Sequence, residues 1–136
     1  MIFVDASALV SIAAGEADSL VLADTLETDR NRLCSAIVLW EAAAGLCRSY
    51  IFSVASARDR LDGLRALFGL QMVTIGAGEH DLALEAYAQF GKGRHPAGLN
   101  MGDCFAYACA KANDAALLFK GDDFSKTDIR IARLKG

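Results

Sequence analysis

The chain has 136 residues, 54% of them hydrophobic, a formal net charge of −3 and a sequence pI of about 5.3. That length suits one domain around one core, spanning 1–136. No apolar run approaches the ~18 residues needed to span a bilayer, and an acid at position 5 stands where a secretory leader would be basic, so the reading is a cytoplasmic protein with no membrane segment. The acidic balance excludes tight non-specific binding of nucleic acid through Lys and Arg, although not a nuclease whose acidic site carries cations. The apolar surplus calls for an oligomer or a partner protein.

"MIFVD" reads as a buried strand ending on a carboxylate, Asp5. Residues 7–14 and 17–29 read as helices separated by Gly15. "RLCSA" is a short strand running into the helix "IVLWEAAAGLCRSY". "SVASARDRLDGLRALFG" has helical spacing at Val54, Leu61, Leu64 and Leu67. "LQMVTI" reads as a strand and "EHDLALEAYAQFG" as a helix stopping at Gly91. "GKGRHPAGLN" holds the only proline, Pro96, and reads as a loop. Then come a helix, "MGDCFAYACAKAND", a strand, "AALLFK", and a last short strand, "DIRIA". This alternation predicts an α/β fold, a three-layer α/β/α sandwich with a mostly parallel sheet. Cys34, Cys47, Cys104 and Cys109 form no CxxC pair and read as buried, reduced thiols.

In such sheets ligands bind beyond the carboxyl ends of the strands, which draws attention to the acids. Asp5 ends the first strand, and Asp122 and Asp123 follow "ALLFK" in "KGDDF". Glu41 shares its helix face with Ile37, Val38, Ala44 and Gly45, and Asp103 shares its face with Ala106, Tyr107 and Ala110. A lone buried carboxylate is costly and converging ones repel; a divalent cation relieves both. All-oxygen ligation suits Mg²⁺ or Mn²⁺. Each acid also has a purely structural reading. Asp5 can cap a helix, Asp103 can form a capping box with Asn100, Glu41 can pair with Arg48, and Asp122–Asp123 can make a turn.

In "IFVDASALV", "SAIVLWEAAAGL", "GKGRHPAGLNMGDCFAYACAK" and "ALLFKGDDFSKTDI" the sequence resembles the PIN domain, and within it the VapC toxins of bacterial toxin–antitoxin pairs. The resemblance covers essentially the whole chain. It implies that Asp5, Glu41 and Asp103 are catalytic, metal-binding acids. It also implies a fourth acid in "GDDF", with Asp122 first choice and Asp123 second, and makes Ser7 the hydroxyl that orients the first carboxylate. The activity implied is a metal-dependent endoribonuclease that hydrolyses RNA with a metal-activated water. The partners implied are a VapB-type antitoxin and a second copy, in a homodimer within a larger toxin–antitoxin complex. Lys92, Arg94 and His95, in the loop before Asp103, are candidates for RNA phosphate contacts. Lys120, Lys126, Arg130, Arg133 and Lys135 would add a basic rim. Trp40, Leu46, Tyr50, Ile51 and Phe52 are candidates for a buried interface. Two other readings stay open: a catalytically silent regulator on the same fold, and an aspartyl phosphotransferase. The latter usually wants a second acid two residues after Asp5, where Ser7 stands.

Overall fold

The computed structural model describes residues 1–136. Ile2–Val4 (β1), Arg32–Cys34 (β2), Gln71–Met72 (β3) and Ala116–Leu118 (β4) form one sheet in the order β3-β2-β1-β4. Every pair is parallel. The helices are Ala6–Ala14 (α1), Ser19–Leu26 (α2), Ala36–Ser49 (α3), Val54–Phe68 (α4), Ala77–Phe90 (α5) and Met101–Ala112 (α6). α1 packs against α2, α3 and α4, while α5 packs against α6, which covers β1 and β4. The α/β expectation holds. The central strand β1 is buried along its length at Ile2, Phe3 and Val4, as a continuous apolar run in a parallel sheet should be, and its edge neighbour β4 is buried at Leu117 and Leu118.

The strand order places the site. From β1 the chain moves outward to β2 and β3, then returns to the other side of β1 as β4. The two directions part between β1 and β4, and there a cleft opens beyond the strand ends. The amide of Asp5 donates to the carbonyl of Leu118 at 2.8 Å, extending the β1–β4 pairing to the last residue before the cleft.

Several elements are shorter than the pattern predicts. "LQMVTI" pairs as a strand only at Gln71–Met72, at the sheet edge, where it has one neighbour; both residues are exposed. "DIRIA" is reduced to a single bridge between Leu117 and Ile131. The second helix stops at Leu26, where Thr25 and Thr28 hydroxyls bond to backbone carbonyls and compete with helix propagation. Gly15 does separate α1 from α2: it takes the left-handed conformation that ends α1. Of the four cysteines, Cys34, Cys104 and Cys109 are buried and Cys47 is only half-buried; all are free thiols. No helix is long and apolar enough to cross a membrane.

Candidate active site

Asp5 immediately follows β1 and is only 4% exposed. Its Oδ2 accepts from the backbone N–H of Ser7 at 3.1 Å and from the Ser7 hydroxyl at 2.6 Å. The carboxylate thus caps α1. Ser7 Oγ accepts in turn from the amide of Lys120, just past β4, at 2.9 Å. One hydroxyl therefore ties the ends of β1 and β4 together and fixes the rotamer of Asp5.

Glu41 reaches the cleft from α3, which starts at the Ser35 cap. Its carboxylate lies against the first turn of α6. A Cβ built on Gly102 would fall 1.9 Å from Glu41 Oε2. Only glycine leaves room there, so Gly102 is the cradle for this acid. Next to it, Asp103 forms a capping box with Asn100: Asn100 Oδ1 accepts from the Asp103 amide at 2.9 Å, and Asp103 Oδ2 accepts from the Asn100 amide at 3.1 Å.

Asp5, Ser7, Glu41 and Asp103 line one cavity, with Trp40 and Arg48 on its wall. Its electrostatics are those of crowded anions. Burial pushes the Glu41 carboxyl up to about 7, with Asp5 and Asp103 adding to the rise and Arg48 opposing it. Burial pushes Asp103 up to about 6, opposed by the Asn100 amide and reinforced by Asp5 and Asp123. Burial also raises Asp5, against the two bonds from Ser7. The carboxylates face a shared cavity without closing on a point: no three His, Cys, Asp or Glu side chains form a ready-made cage. That donor set, hard oxygens with space between them, fits a hydrated hard cation that keeps part of its own water shell.

Of the adjacent aspartates, Asp123 is the one whose charge reaches Asp103. It begins a 3₁₀ turn, Phe124–Lys126, pinned by buried Phe124 against Phe119. The carbonyl of Asp122 accepts from Ser125.

The structure does not bring Lys92, Arg94 and His95 onto this cavity. Arg94 lies 5.0 Å from the Tyr87 ring centroid, and His95 accepts from the Ala97 amide and meets Phe90 edge-on. Leu46, expected at an interface, is fully buried: it continues the inward stripe of Val38 and Ala42 at four-residue spacing. Sequence reasoning missed Gly102, whose only signal is a glycine inside a helix's first turn. It also missed a paired cluster beside the cleft. There Lys120 Nζ meets Glu16 Oε1 at 2.6 Å and Asp18 Oδ1 at 3.4 Å, Tyr50 donates to Glu16, and buried Ser11 donates to Asp18.

The acids gather at the switch point of the parallel sheet, and the chain belongs to the PIN domain family, which matches residues 2–130. It is 40% identical over 131 residues to the ribonuclease VapC42 of Mycobacterium tuberculosis strain H37Rv, covering 95% of this chain and 97% of that one. It is 38% identical over 141 residues to a VapC ribonuclease of Rhizobium meliloti strain 1021, covering 95% and 99%. Among solved structures it resembles M. tuberculosis VapC20, described as a sarcin–ricin loop cleaving toxin, with a TM-score of 0.78, 17% identity, and coverage of 99% of this chain and 100% of that one.

Proposed function

We propose that the chain is the toxin of a toxin–antitoxin pair, an endoribonuclease that works with Mg²⁺ or Mn²⁺ held by Asp5, Glu41, Asp103 and Asp123. The carrying observation is the shared cavity of Asp5, Glu41 and Asp103, whose carboxyls are all pushed above their usual range. Such a site is destabilised until a cation enters it. Asp123 is preferred to Asp122 as the fourth acid because its charge is felt at Asp103.

A divalent cation bound there would lower the pKa of a water and neutralise charge on the phosphate oxygens. The chain's own residues have separable tasks. Ser7 holds Asp5 in one rotamer, and the backbone amide of Asn100 does the same for Asp103. Glu41, whose carboxyl burial pushes up to about 7, is suited to take the proton of an attacking water. Arg48 supplies a cation on the cavity wall for the phosphate.

RNA is the substrate class, and a cognate antitoxin is the protein partner. A basic side chain offered by the antitoxin would satisfy the same carboxylates and exclude the metal. The single domain, 1–136, would act as a homodimer within the complex. The deciding experiment is incubation of the purified chain with total RNA, with and without Mg²⁺ or Mn²⁺. Metal-dependent fragments absent from Asp103→Ala support the reading; equal fragmentation by both chains overturns it.

A further inference from the structure

Trp40 is the only tryptophan and is 73% exposed, although its neighbour Glu41 is half-buried in the acidic cavity. Its side chain lines that cavity and also a second, almost wholly apolar depression formed with Ala43, Ala44, Cys47 and Val54. Arg48, two turns further along α3, lines both as well. The two depressions therefore share one wall, made of an indole and a guanidinium. On one side are carboxylates suited to a metal and a phosphodiester. On the other is a shallow apolar floor of small side chains with no charge except Arg48.

Resting on the nuclease reading above, we propose that Trp40 is a stacking platform for an unpaired base of the RNA substrate, next to the scissile phosphate, with Arg48 contacting the intervening backbone. The chemistry is complementary at each point. A base offers a π-face to the indole, and its phosphate offers negative charge to Arg48. An exposed large aromatic on a catalytic wall meets single-stranded RNA, whose bases are free to splay and stack, rather than a duplex. The small floor of Ala43, Ala44 and Cys47 leaves room beside the indole for a planar ring. The occupied base would contribute to the choice of cleavage position.

The lone tryptophan makes the test direct. In the Asp103→Asn chain with chelator present, to suppress turnover, a short single-stranded RNA of mixed sequence should quench Trp fluorescence. An abasic strand of the same length and charge should not. In the wild-type background Trp40→Ala should raise KM about tenfold, with Trp40→Phe recovering most of the loss. The metal concentration giving half-maximal activity should stay unchanged in both. Equal quenching by the abasic strand, or an unchanged KM in Trp40→Ala, overturns the proposal. So does a Trp emission that shifts on dilution without RNA while RNA leaves it unmoved, because the indole would then be covered by a second copy. If the wild-type chain cleaves no RNA, the nuclease reading itself fails; if it cleaves and Trp40→Ala matches it, only the platform fails.

Discussion

Two acidic clusters lie within the same end of this molecule, and their environments have opposite effects. Glu16 and Asp18 sit beside Lys120, Tyr50 and Ser11, and these partners hold both carboxyls below their usual range. Asp5, Glu41 and Asp103 face each other across a cavity, with Arg48 the one cation on its wall, and despite bonds from Ser7 and Asn100 all three are held above it. The first cluster is a finished structure, with donors and acceptors matched. The second is an unfinished one: burial and mutual repulsion leave a deficit that an incoming cation would remove. Residue type alone does not distinguish a structural carboxylate from a functional one. The number of cationic or N–H partners left over does.

The largest break in this contrast comes from removing an acid on the cavity side. Asp103→Ala should reduce RNA cleavage about a thousandfold while the chain still folds, as read by fragment yield and a retained melting transition. Gly102→Ala should approach this without touching an acid. Its new methyl group would displace the Glu41 carboxylate, and a shift of about 1 Å costs about a hundredfold. Cleavage at the parent rate in Gly102→Ala would show that Glu41 has no fixed position in the reaction.

A thermal measurement sharpens the same comparison. At about a hundredfold excess over its Kd, Mg²⁺ or Mn²⁺ should raise the melting temperature by about 10 °C. Asp5→Asn or Asp103→Asn should blunt that rise and also lift the metal-free melting temperature by relieving repulsion. An intact metal response in both variants would place the ion elsewhere.

Acidity separates the clusters by sign. Glu41 and Asp103 titrate higher in the folded chain than in the unfolded one. Without metal, the stability linked to them is full below their ordinary values and is lost as pH rises through about 6 and about 7. Glu16 and Asp18 titrate lower when folded. Their contribution is present above the ordinary carboxyl range and is lost as pH falls. Melting scans in chelator from about pH 4 to pH 8 should therefore decline on the alkaline side, and saturating metal should flatten that decline. The smallest effect belongs to Glu16→Gln. This exposed pairing should move the melting temperature by about 2 °C or less, and should leave the metal response as it was.

Much of this was legible in the sequence where the signal was local. Asp5 ends an apolar strand, Glu41 and Asp103 lie on apolar helix faces, and the alternation of elements gives the parallel sheet. The structural and functional readings of Asp5 and Asp103 turned out not to compete. Asp5 caps α1 and Asp103 closes a capping box while both face the cavity, because a cap places a carboxylate at a helix start, where the cleft lies. Leu46 could have been assigned inward from its spacing with Val38 and Ala42. The Glu16–Lys120–Tyr50 cluster could not: its members are brought together only by the return of β4 beside β1. Gly102 was equally silent, since its role is the absence of a side chain opposite a residue far away in sequence.

That return has a consequence for how the protein is made. Ser7 is locked onto Asp5 near the start of the chain, but its own donor is the amide of Lys120. Residues 2–4 likewise wait for residues 116–118 to complete their pairing. A nascent chain emerging from the ribosome thus carries Asp5 long before it carries the strand that fixes it. Pairing across so long a separation is slow, so the acidic cavity forms late, only after β4 has been made. Products of premature termination would be harmless to the RNA around them.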